Sequence, residues 1–198
     1  MKTITCYCEN TFEADIPDTI DLNKEPGIVD KILDGTFLSY TCPKCETVLK
    51  PEFTIRIKDS SKDLDLLYIS EIERNSYLSG RTSYSAERIV IGFAELQEKF
   101  RILKCKLDDR AVEMIKAYLI SRADEYSNIR IFFAGKEENK LVFHIEGLED
   151  NKTAVTHISL ELYEKLKKNI DDNKVDPALK EVLSPPYISV NKIQTVRD

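Results

Sequence analysis

The chain has few histidines, few glycines, no long apolar run and no excess of basic residues, and each scarcity narrows what it can do. Its two histidines, His144 and His157, stand in strand-like HIE and THIS contexts. Neither a nucleophile–base pair nor a second metal site can be assembled around them, and partly buried strand histidines are expected. Six glycines in 198 residues form no glycine-rich phosphate loop and no nucleophile elbow. No apolar stretch approaches the ~18 residues of a membrane span, the longest being about six around Ile89–Ala94. Lys2 is followed by no apolar signal-peptide core, so a cytoplasmic location and no membrane partner are expected. Twenty-nine Lys/Arg against 35 Asp/Glu leave a net charge of −6. A protein that binds nucleic acid by neutralising phosphates needs the opposite balance.

What is present is ordinary for a globular chain, with 42% hydrophobic and 32% charged residues. The length allows one large domain or two small ones and burial of roughly 70% of the unfolded surface. Residues 2–6 and 11–16 alternate and predict strands, as do 36–42 and 47–57. Between them, Ile28, Ile32 and Leu33 share one helical face, and Gly35 stops that helix. Strands are expected at 64–69 and 87–91, a loop at 74–85, and a helix carrying Phe93, Leu96, Phe100 and Leu103. A second helix begins near Asp108, with Val112, Ile115 and Leu119 inward. A hairpin at 128–134 and 140–146, a strand at 153–159, helices from Ser159 and Asp176, and a final strand at 187–190 complete the expectation. The fold class is α+β: zinc-ribbon-like β-hairpins with an inserted helix over 1–58, then a mixed α+β region over 59–198, with a sub-boundary near 124–128.

Chemistry concentrates in the cysteines. Cys6 and Cys8 fall at the first hairpin turn, Cys42 and Cys45 at the second, with 33 residues between the pairs. In a reducing compartment, paired thiols at turns read as metal ligands rather than disulfides. One or two residues between cysteines let a turn deliver both thiolates to one ion, and Pro43 stiffens the second turn. A four-thiolate site leaves no open coordination position, so a structural zinc is expected; iron shares the same ligand set. Packed, metal-free thiols are the plain alternative. Cys105 is unpaired and lies beside Lys104 and Lys106, where a reactive thiol or simply a small residue at a helix end is possible.

Read together, ITCYCENTFEADIP, the C-P-K-C turn, RIVIGFAELQEKFRIL, KLDDRAVEMIK and the terminal YISV resemble the bacterial CpXC-domain proteins, a family named for two Cys-Pro-x-Cys pairs. The similarity spans most of residues 1–120 and weakens afterwards. The first pair here lacks the proline and one residue. Phe12 still lies four residues past Cys8, as in the family, so Cys8 matches the second ligand. The glycine usual after each pair is replaced by Glu9 and by Glu46; glycine there would ease a left-handed turn. The resemblance implies a metal-binding bacterial domain and supplies no activity.

Three functions follow. The favoured one is a non-enzymatic zinc-ribbon protein acting as a protein-interaction or regulatory module. The second is an enzyme with a site in residues 60–198 near Asp108, Asp109 and Arg110, although helix capping and an ion pair explain those residues without catalysis. The third is a nucleic-acid-binding ribbon. Residues 1–58 carry seven Lys/Arg against ten Asp/Glu, a balance of −3 that disfavours it.

Overall fold

The computed structural model describes residues 1–122 and 129–194. The fold is α+β, in two compact units, Met1–Gln97 and Glu98–Asp198. The expected boundary at 58 falls inside a strand of the first unit. The sub-boundary near 124–128 lies outside the described residues.

In the first unit β1 (Lys2–Thr5) and β2 (Thr11–Ala14) form an antiparallel hairpin, Lys2 facing Ala14 and Thr5 facing Thr11. β3 (Thr19–Asp21) follows, then α1 (Ile28–Asp34). Gly35 ends α1 at φ 82°, where glycine takes a left-handed turn without a Cβ clash. β4 (Tyr40–Thr41) and β5 (Val48–Leu49) make a second, shorter hairpin. β6 (Ile55–Asp59), β7 (Leu64–Ile69), α2 (Arg74–Leu78), β8 (Arg88–Ile91) and α3 (Gly92–Lys104) follow.

A four-stranded sheet in the order β3-β6-β7-β8 is the core of this unit. β3 runs parallel to β6 and β7 parallel to β8, while β6 and β7 are antiparallel. Leu66 to Ile69 are all buried, as a strand covered on both faces demands. Glu52 fastens the β8–α3 junction. Its carboxylate accepts from the N–H groups of Phe93 (3.1 Å) and Glu71 (2.7 Å) and from the Ser70 hydroxyl (3.2 Å). Gly92 sits there at φ 75°, where a Cβ would run into the Glu71 carboxylate.

Several expectations are corrected here. The strand predicted over 36–42 shrinks to Tyr40–Thr41, because Asp34 holds Thr36 in a turn and Leu38 is left-handed at φ 55°. The strand predicted over 47–57 divides in two around Pro51, which has no N–H for a ladder. The loop predicted over 74–85 contains α2. β3 was not foreseen.

In the second unit α3 continues to Lys104, and α4 (Asp109–Ile120) begins from an Asp108 N-cap whose carboxylate accepts from Arg110 N at 2.9 Å. β9 (Arg130–Glu137), β10 (Lys140–Glu146) and β11 (Thr153–Ser159) form an antiparallel sheet with β10 in the middle. α5 (Leu160–Asp171) is capped by Ser159, and α6 (Pro177–Lys180) by Asp176 with Pro177 in its first turn. α7 (Asn191–Gln194) closes the described chain. Tyr187–Val190 is buried, but the strand expected there is reduced to a single β-bridge at Tyr187. The core joins Val112 and Ile115 to Phe133 and Phe143, whose rings meet edge-to-face at 5.6 Å.

A buried ionic triad crosses this unit. Lys116 Nζ lies 2.9 Å from Glu98 Oε2 and 2.7 Å from Glu113 Oε1, with all three side chains at most 5% exposed. The remaining oxygens accept from Phe133 N (2.6 Å) and Val190 N (2.7 Å). Two carboxylates share one cation, so burial pushes the Glu113 carboxyl up to about 7 against the pull of Lys116. Glu113 thus protonates more readily in the fold than in the unfolded chain. Its contribution to stability is complete below a pH of about 4.3 and is lost as pH rises through about 7. The thermal midpoint is expected to fall from pH 5 to pH 8, and Glu113→Gln to flatten that slope. Identical slopes in both proteins would contradict the assignment.

Candidate metal centre

The two short hairpins present the cysteines at their turns. In the first, Cys6 N donates to Asn10 O and Glu9 N to Cys6 O, both at 2.9 Å. In the second, Cys42 N donates to Thr47 O and Glu46 N to Cys42 O, again at 2.9 Å. The second set of bonds spans one residue more than the first, which is the difference between C-Y-C and C-P-K-C. The deletion is absorbed inside the turn, and both cysteines of each pair keep their place. Tyr7 consequently projects outward, 92% exposed.

Cys6 Sγ lies 3.5 Å from Cys45 Sγ, and Cys8 Sγ 3.8 Å from Cys42 Sγ. All four sulfurs fall within 4.8 Å of one another. A tetrahedral ion about 2.3 Å from each thiolate places sulfurs about 3.8 Å apart. A disulfide requires about 2.0 Å, so these cysteines are free. Cys6 and Cys42 are buried, Cys8 half-buried and Cys45 exposed.

Hydrogen bonds and burial shift three of the four sulfurs, in different directions. The Thr47 hydroxyl and backbone N–H hold Cys45 down to about 6, helped by Cys8 and Cys6. Cys42 is also lowered: burial opposes this, but the N–H groups of Cys45 and Lys44 outweigh it. The Cys8 N–H pulls Cys6 down, yet burial and the three neighbouring thiols push it up to about 12. Cys45 and Cys42 thus give up their protons more readily than an ordinary thiol, and Cys6 less readily. A bound dication would replace those protons.

Two supporting residues escaped the sequence reading. Asn10 Nδ2 donates to Cys42 Sγ at 3.7 Å, and Thr47 Oγ1 lies 3.2 Å from Cys45 Sγ. Each stands two residues past the second cysteine of its pair, a shared spacing that could have revealed them. Such bonds orient the thiolates and spread their charge.

Glu9 and Glu46 adopt φ 63° and φ 61°, the left-handed conformation for which glycine is suited. Glu9→Gly and Glu46→Gly should each stabilise the knuckle by about 0.5–1 kcal/mol, the relieved strain being partly offset by the greater freedom of unfolded glycine. Competition against a metallochromic chelator should register tighter zinc binding; weaker binding would refute the strain argument.

The other candidates have structural partners. Asp108 caps α4 and pairs with Arg110 at 2.6 Å, and Asp109 pairs with Lys99. Cys105 is half-buried against the second unit's core. His144 and His157 are exposed, the latter 3.8 Å from Glu137. Among the described residues no helix is long and apolar enough to cross a membrane.

A family model described as CpXC protein matches residues 4–116, more than half of the chain and all four clustered cysteines. A protein of Treponema pallidum (strain Nichols), described as uncharacterized, is 27% identical and aligns over 85% of this chain and 88% of its own. No solved structure matches.

Proposed function

The chain belongs to the CpXC family, and from that premise we propose a non-enzymatic binding protein whose first unit is held together by one structural zinc ion on Cys6, Cys8, Cys42 and Cys45. The observation that carries this is the convergence of four thiol sulfurs within 4.8 Å. Four thiolates complete a tetrahedral shell and leave no position for a water or substrate, so the ion's contribution is to folding. The capping role of Asp108 and the ion pairs of Asp109 and Arg110 support a non-catalytic reading of the second unit.

The partner is a protein and the setting a reducing cytoplasm, where thiolates persist. Iron has the same donor set, and elemental analysis separates the two. The native chain, purified under reducing conditions and analysed for metals, should carry one zinc per molecule. Red-brown protein with one iron would replace zinc by iron, and metal-free, fully folded protein would end the proposal. Affinity purification from its own cell should yield a stoichiometric protein partner; a turnover abolished by Asp108→Ala or Arg110→Ala in folded protein would point to an enzyme instead.

A further inference from the structure

The first unit contains a cavity of about 540 Å³ beside α1, within the range that holds small molecules. Its apolar lining comes from Ile20, Ile28, Phe37 and Leu38. Its charged lining is Asp15, Glu25 and Lys31, exposed side chains that form no ion pair among the described residues. Two features inside it lack a structural explanation. Ser39 lines the cavity, and its Oγ is buried with no hydrogen-bond partner among the described residues. Buried hydroxyls are nearly always paired, because an unpaired one loses its hydration for nothing. The preceding Leu38 is left-handed at φ 55°, a conformation bulky residues rarely adopt and one that gathers at functional sites. The neighbouring Tyr40 hydroxyl already donates to Asp15 O at 3.1 Å and does not serve Ser39.

We propose that this cavity is a binding site for a small amphipathic amine: an apolar body lying on Phe37, Leu38, Ile20 and Ile28, with a protonated amino group directed to Asp15 and Glu25. Two carboxylates against one lysine select a cation over an anion. The Ser39 hydroxyl accepts from an N–H, or donates to a carbonyl or hydroxyl, on the ligand. Ser39 immediately precedes β4, which leads into Cys42, and Asp15 directly follows β2, whose hairpin bears Cys6 and Cys8. The cavity wall is therefore continuous in the chain with β2 and β4, the strands that lead to the metal knuckles, and any coupling between them rests on the zinc reading above. Any effect of amine binding on zinc affinity is matched by an equal effect of zinc on amine affinity, as linkage requires.

The test uses the full chain with its metal content measured on the same sample. Hexylamine, 2-phenylethylamine and tryptamine are titrated by calorimetry beside hexanoate, 3-phenylpropionate and indole-3-acetate. At least one amine should bind saturably and at least tenfold more tightly than its matched carboxylate. Ser39→Ala should weaken it several-fold, and Asp15→Asn combined with Glu25→Gln about tenfold or more, with far-UV circular dichroism unchanged. Folded, zinc-loaded protein that binds none of the amines, binds amines and acids alike, or is indifferent to these substitutions overturns the site and leaves the zinc reading standing. Folded, metal-free protein that binds amines with this selectivity upholds the site and overturns zinc.

Discussion

Cys42→Ala is expected to abolish the proposed zinc binding and to unfold both cysteine hairpins together. The hairpins cannot stand alone: β1 and β2 pair over four residues each, and β4 and β5 over two. A structural zinc contributes about 10–16 kcal/mol in small metal-dependent folds, comparable with a whole domain's stability of about 5–15 kcal/mol. Cys42 is the severest position to alter. It is fully buried, takes the Asn10 bond and receives the Cys45 and Lys44 N–H groups. Elemental analysis should find zinc absent from Cys42→Ala and present in a Cys105→Ala control. Amide exchange should show β1, β2, β4 and β5 deprotected, and a strong zinc chelator should reproduce that pattern in the native chain. Zinc retained by Cys42→Ala at one equivalent, with protected hairpins, would dismantle the four-cysteine assignment.

Lys116→Met is expected to destabilise the chain by about 3–5 kcal/mol. The substitution preserves volume and stem but leaves Glu98 and Glu113 facing each other without a cation. Burial works against the Lys116 charge, yet Glu113 and Glu98 outweigh it and hold its pKa above the ordinary lysine value. Once the cation is gone, each buried carboxyl must take a proton or carry its charge unpaired. The loss should therefore be larger at pH 8 than at pH 5, as read by urea unfolding. Lys116→Met combined with Glu113→Gln should recover part of it, because the amide oxygen can still accept from Val190 N. A pH-independent loss below about 1 kcal/mol would mean that the triad is marginal.

The sequence was most informative where the signal was local. α1 ends where Gly35 places its end, and β7 and β11 occupy Leu64–Ile69 and Thr153–Ser159 as their residues predict. The cysteine pairs were legible because each sits in a turn, and the left-handed Glu9 and Glu46 followed from the glycines expected in their place. What failed was tertiary. β3 is three residues long and exists because Thr19, Ile20 and Asp21 align with Arg56, Ile57 and Lys58, far away in sequence. Residues 55–59 pair with β7 through their own antiparallel ladder, so β3 joins a sheet that already holds β7 and β8. Glu98, Glu113 and Lys116 look like the solvent face of two amphipathic helices, and only packing turns that face inward. Ser39 and Leu38 lie in a stretch that alternates like a strand; the turn built by Asp34 breaks it.

The outward thrust of Tyr7 has an optical consequence. The chain contains no tryptophan, so its nine tyrosines dominate ultraviolet emission. Tyr68, Tyr163 and Tyr187 are enclosed in the fold, whereas Tyr7 stands in solvent between two of the four sulfurs. Its phenol is a built-in lamp on the knuckle. Cobalt(II) bound by the four thiolates would absorb through its thiolate bands and dim the tyrosines beside the site, Tyr7 and Tyr40 among them, and a quencher dissolved in the buffer would reach Tyr7 without disturbing the core. Occupancy of the four-sulfur site would thus be read as a loss of total tyrosine emission, with no label attached.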